Sequence, residues 1–157
     1  MIRSITGFHQ DDAGDWAAEM SCFHNRHIRH EPPFREAAWV LDPEGREAHV
    51  GSPIECPLCD RAELPEGLTP VGSAGPWDRD SLPGGLLNAH RTPEGRWGLL
   101  RVTEGAVDFQ FEQETMSPPL TRRLEEGSEQ PIPPGAPHRL VPTGPVRLEL
   151  QFLGRKA

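Results

Sequence analysis

Residues 146–152 read VRLELQF, and this short stretch decides the fold class. Val146, Leu148, Leu150 and Phe152 alternate with Arg147, Glu149 and Gln151. A two-residue period is that of a β-strand with one apolar and one wetter face. The same grammar recurs upstream, where Val107, Phe109 and Phe111 alternate with Asp108, Gln110 and Glu112. Further back, the stretches GGLLNAHRT, RWGLLRVTEG, AVDFQFEQE and LTRRLEEG are short apolar runs separated by turn residues. Short strands at this spacing predict a sandwich or barrel rather than βαβ units. The fold class expected is mainly β.

The rest of the chain differs in composition. All three Cys and five of the seven His precede or flank Asp60, and most of the 18 Pro follow it. The division expected is a small Cys/His metal-binding domain over 1–60, a linker and extended lead-in over 61–79, and a β-barrel over 80–157. The Pro/Gly-rich run from Glu63 to Trp77 supports the linker. A net charge of −8, with no basic excess in either half, argues against nucleic acid as a partner. No apolar run approaches the roughly 20 residues of a membrane span. The N-terminal MIRSITGFHQDD lacks the apolar core of a signal peptide, so a cytoplasmic protein is expected. There, three Cys are thiols or ligands before they are disulfides.

Within the first domain, SITGFHQ and DWAAEMSC flank the turn DDAGD and form a predicted hairpin, and DPEGREAHVG suggests a short helical turn. Cys56 and Cys59 are spaced C-x2-C, and SCFHNRHIRH packs Cys22, His24, His27 and His30 close together. Structural zinc takes four Cys or His ligands, commonly as two short-spaced pairs. The expected set is Cys22, His24, Cys56 and Cys59, with His27 or His30 as the alternate fourth ligand and iron as an alternate metal. The competing reading is a reduced thiol pair beside unrelated surface histidines. The stretch GFHQDDAGDWAAEMSCFHNRHIRHEPP, followed by Trp39 and CPLC, resembles a family of small uncharacterised bacterial domains. The family pattern has Gly where this chain has Phe23, and Gln where it has Arg26. His9 and His30 fit the pattern too and are expected to be structural hydrogen-bond partners.

The second part resembles cupin barrels through two motifs. Gly127, Pro133, Gly135 and His138 keep most of the second motif, with Pro142 at its final Asn position. Gly84, His90 and Gly105 keep part of the first, but Thr92 stands at its second His position and no carboxylate stands at its Glu position. The resemblance implies a lumen in which His90 and His138 meet and hold a divalent metal such as Fe, Ni or Zn. Glu94, Glu104 or water is then the third ligand. The stretch LPGGLLNAHRTPEGRWG, with PPGAPHRLVPTGPVRLELQFL, is similar to the tellurite-resistance protein B type of cupin over residues 63–155. That resemblance implies stress from oxyanions as a context, and it adds Arg91 and Trp97 as ligand-binding candidates.

Three functions compete on these residues. One is a metal-binding, stress-response protein that holds a small molecule or oxyanion in its barrel. The second is a metal-dependent enzyme, an oxygenase or isomerase, using His90 and His138. The third is a structural zinc protein with a vestigial barrel. Apolar sheet faces allow a homodimer.

Overall fold

The computed structural model describes residues 1–112 and 120–156. It is mainly β, and the chain divides into two compact units, Met1–Glu66 and Gly67–Ala157. In the first, strands β1 (Ile2–Gln10), β2 (Trp16–Met20), β3 (Asn25–His27) and β4 (Pro53–Glu55) form an antiparallel sheet of order β3-β2-β1-β4. The expected hairpin is β1–β2, closed through Asp11, whose side chain accepts from the amides of Ala13 and Asp15. Helix α1 (Pro43–His49) is the expected helical turn, and helix α2 (Pro57–Asp60) follows β4. Gly45 lets α1 press on the preceding turn, because a Cβ there would collide with the backbone of Trp39. Around it, the Trp39 and His49 rings stack 3.6 Å apart and Arg46 lies 3.6 Å over the Trp16 ring.

The second unit holds β5 (Thr69–Asp78), β6 (His90–Arg91), β7 (Trp97–Phe111), β8 (Leu120–Glu125), β9 (Glu129–Ile132), β10 (Pro137–Val141) and β11 (Val146–Gly154). Its organising element is β7, which the sequence splits into two strands but which runs for 15 residues. The first half of β7 pairs with β9 and β11, the second half with β8 and β10. Leu100 and Val102 are buried on one phase, Val107 and Phe109 on the opposite phase. A strict two-residue alternation cannot give both, so the backbone must reset between them. Gly105 lies at that point with φ 73°, and a Cβ there would strike the Pro145 carbonyl. The bend curls the sheet around Leu82, Leu100, Val102, Val107, Phe109, Leu124, Ile132, Leu140, Val146, Leu148 and Leu150.

Three details differ from the sequence reading. Most of the run taken as linker and lead-in is β5, paired along β11 from Thr69 to Asp78. The stretch GGLLNAHRT gives a 3-10 turn over Gly84–Leu87 and then only the two residues of β6. The predicted strand ending at Glu114 has its last two residues outside the described ones.

Candidate metal centre and histidine pair

The strand order of the first unit explains why its ligand-type residues meet. Strand β1 lies between β2 and β4. Ile5 is opposite Met20, two residues before Cys22, and Ile2 is opposite Glu55, the residue before Cys56. Both short-spaced pairs therefore leave the sheet beside the start of β1. After β2 the chain reverses within Met20–His24, where the Phe23 amide donates to Met20 O and the Met20 amide to His24 O. Phe23 has φ 72°, a left-handed backbone conformation that glycine adopts more readily than an L side chain. On the other side Cys56 caps α2 and Pro57 occupies its first position. A spacing of three places Cys56 and Cys59 on one side of that turn.

The result is a buried cluster of Cys22, His24, Cys56 and Cys59 whose ligand atoms all lie within 4.8 Å of one another. His24 Nδ1 is 3.5, 3.4 and 3.7 Å from the Sγ atoms of Cys22, Cys56 and Cys59, and Cys22 Sγ is 3.8 Å from Cys56 Sγ. A tetrahedral zinc with bonds of about 2.3 Å to sulfur and about 2.05 Å to nitrogen has edges of about 3.8 Å (S–S) and about 3.6 Å (S–N). These four distances match those edges closely. The cysteines are free, so the sulfurs are not joined as a disulfide. His24 Nε2 donates to Glu63 O at 2.9 Å. That bond leaves the Nδ1 lone pair facing the sulfurs, as in metal-bound imidazoles whose other nitrogen is anchored.

Without a cation the three thiols share charge unevenly. Hydrogen bonds, the largest from Cys59, hold the Cys22 thiol down to about 5, with the His24 amide also donating to its sulfur. Burial pushes the Cys56 thiol up, and donation to Cys22 pushes Cys59 up strongly. Three adjacent buried thiols cannot all ionise alone, and a divalent ion replaces their protons. The cluster can hold a metal ion.

The alternates do not join it. His27 Nε2 pairs with Asp11 Oδ2 at 2.8 Å, and His30 Nδ1 accepts from the Ala37 amide at 3.0 Å. The reason is local: the tight turn delivers Cys22 and His24 inward, after which β3 carries His27 out to solvent. The cluster thus holds the expected His24, and the alternate His27 lies outside it. His9 bonds Glu19 Oε1 at 3.0 Å, and His30 bonds backbone, the structural roles expected. The sequence reading missed Arg3, which is 8% exposed on the inward phase of β1, and the Glu63 carbonyl. An arginine on the buried phase of a strand was the signal for the first; a backbone group leaves none.

In the second unit His90 and His138 are cross-strand partners on β6 and β10. Their ring centroids are 4.1 Å apart, and the His138 ring also stacks on Phe109 at 5.5 Å. His138 Nδ1 donates to Ala136 O at 2.8 Å and His90 Nδ1 to Asn88 O at 3.2 Å. In these tautomers both Nε2 atoms carry a lone pair. Burial pushes His138 down to about 4, so it is neutral at pH 7. Among the described residues no group of three or more His, Cys, Asp or Glu includes this pair, so neither Glu94 nor Glu104 completes a three-ligand set. Glu94 lies against Gly135, and Glu104 is opposite Arg147 at the β7 bend. Arg91 donates to Gly135 O at 2.8 Å and ties β6 to the turn before β10. Trp97 is fully buried, so its place is in the packing and not on a ligand-facing wall.

The comparisons divide at the same place as the fold. Residues 73–150 match the TehB-like domain. Residues 6–63 match a second family, described as "Protein of unknown function (DUF3565)", which covers the whole cluster. TehB from Haemophilus influenzae is similar in structure, with TM-score 0.53 and 24% identity over 57% of this chain. This chain covers 32% of that protein's length. A protein from E. coli (strain K12) is similar over 60% of this chain and 98% of its own, with TM-score 0.54 and 20% identity. At these identities the likeness concerns the fold alone. No curated protein matches the chain. Among the described residues no helix is long and apolar enough to cross a membrane.

Proposed function

We propose that this is a small metal-binding protein of stress response. Its first unit is stabilised by zinc on Cys22, His24, Cys56 and Cys59, and its cupin-like second unit binds a divalent cation at His90 and His138. The observation that carries the binding role is the His90–His138 pair, 4.1 Å apart with both Nδ1 atoms committed to backbone carbonyls. Two imidazoles whose Nε2 atoms offer lone pairs suit a cation such as Fe, Ni or Zn, and those lone pairs repel an anion approaching directly. An oxyanion therefore binds through the metal, whose remaining positions two protein ligands leave to water or solute. The tellurite-type resemblance supports an oxyanion as that solute. The first unit's metal has no such opening, since four protein ligands fill a tetrahedron.

Metal analysis of protein purified without a His tag tests both halves. One zinc per chain is expected, together with a weaker second site that titrates with Ni2+ or Fe2+. The second site should vanish in His90→Ala/His138→Ala with the zinc retained. Tellurite should bind only to protein loaded at the second site. Binding of tellurite that is indifferent to the His pair would remove the proposal for the barrel.

A further inference from the structure

The metal reading leaves a charge to be explained. A divalent ion with three thiolates and one neutral imidazole carries a net charge of −1, and Cys22, Cys56, Cys59 and His24 are all buried. An uncompensated charge in such surroundings is costly. The compensating group comes from β1, the strand between the two that deliver the ligand pairs. Arg3 lies opposite Ile54, two residues before Cys56, and it is 8% exposed. Its guanidinium donates to Met1 Sδ at 3.2 Å, and Met1 O in turn accepts from the Cys56 amide at 2.7 Å. Arg3 also lies within hydrogen-bonding reach of the Cys59 thiol.

Resting on the zinc reading above, we propose that Arg3 is the counter-ion of the metal–thiolate centre: a permanently charged guanidinium that brings the buried complex to neutrality. Arginine suits this role better than lysine, because it does not shed its proton when buried. Arg3 is a positioning residue in this scheme, acting through Cys59 and not on the metal. It also biases the site toward complexes of charge −1, three thiolates around a divalent ion, over neutral ones.

The test is zinc affinity of the full chain, by competition with a chromophoric chelator at neutral pH. Arg3→Met should weaken binding by about 10- to 100-fold, the usual size of a lost outer-shell partner. Arg3→Lys should recover most of that loss. The charge argument is isolated by Cys59→His, which makes the zinc complex neutral without Arg3. In that background Arg3→Met should leave affinity unchanged or raise it. An equal loss in both backgrounds means Arg3 only packs, and the proposal falls. It falls equally if Arg3→Met binds zinc within twofold of the parent. Should Cys59→His not fold, iron-loaded protein gives a second readout. The ferric centre is neutral and the ferrous centre carries −1, so Arg3→Met should lower the midpoint potential. An unchanged potential overturns the counter-ion. If instead the parent chain binds no zinc, or Cys56→Ser/Cys59→Ser keeps it, the metal centre itself fails, a result separate from any Arg3 effect.

Discussion

The two units solve the same problem with different means. In the first, the buried apolar side chains larger than alanine are Ile5, Met20, Val40 and Pro65, apart from the three cysteines. In the second, eleven residues form one continuous core that includes Phe109, Ile132 and four leucines of β7, β10 and β11. About 66 residues with so small an apolar centre cannot offset chain entropy by burial alone, and such domains depend on a staple. The cysteines are that staple once a metal joins them. The second unit has a core of its own and needs no such staple. A polar cluster in a poorly packed unit thus reads as structural, and one on a well-packed unit as functional.

The largest effect should come from removing the staple. Cys56→Ser/Cys59→Ser is expected to abolish zinc binding and unfold residues 1–66, since a structural site's binding energy of about 10–16 kcal/mol is folding energy. Limited proteolysis and amide NMR dispersion should report loss of the first unit with the second retained. Native resistance of 1–66 in that variant would erase the contrast. The converse is Phe109→Ala. Phe109 is fully buried, edge-on to Phe111 at 4.8 Å and stacked on His138. Its removal should cost about 3–5 kcal/mol in the second unit. Zinc content should stay at one per chain, and a parallel loss of zinc would mean the units do not stabilise themselves separately.

How far the sequence foretold this depends on the kind of signal. Alternation in Val146–Phe152 and Val107–Phe111 made the β class legible, because a strand's faces are written directly in its residues. The C-x2-C spacing and the Cys22/His24 pair were legible because two short spacings constrain geometry before the fold is known. What stayed hidden depended on pairing. The Gly105 bend looks like a turn from sequence, yet the chain passes through it because Pro145 and Val146 supply a partner strand. Strand β5 is exposed along most of its length and Pro-rich, so only its ladder with β11 shows it to be a strand. The Phe23 turn and the Glu63 carbonyl, which set His24 against the three sulfurs, leave no mark in the spacing.

A pH titration sharpens the comparison at the second unit. Burial holds His138 at about 4 in the folded state, against an ordinary value of 6.5. Above pH 6.5 both states are neutral at this group. Between 6.5 and 4 the unfolded chain takes up a proton and the folded one does not, so stability falls as pH drops. Below 4 both are protonated and the loss ends. The decrement is about 3 kcal/mol at its full extent. Denaturant midpoints of the second unit should therefore fall across that window, and His138→Gln should flatten the slope while lowering the plateau through lost stacking on Phe109. A slope unchanged by His138→Gln would assign the acid sensitivity to other groups.

The smallest effect probes the turn that delivers Cys22 and His24 to the buried cluster. Phe23 is held at φ 72° between Cys22 and His24, where an L side chain crowds the following carbonyl. That conformation costs about 1–2 kcal/mol for a residue other than Gly. Phe23→Gly relieves it but gives the unfolded chain more freedom and forfeits the packing of a half-buried ring. These opposing terms leave a net gain of about 0.5 kcal/mol or less in the metal-loaded protein. The sign is more informative at limiting zinc, where the folded and unfolded forms of residues 1–66 coexist. There a small change in folded-state strain shifts the balance visibly, so Phe23→Gly should slow proteolysis of residues 1–66 at limiting zinc more than at saturating zinc. Faster proteolysis at limiting zinc would mean that the Phe23 ring, and not the turn geometry, is what keeps the ligand pair in place.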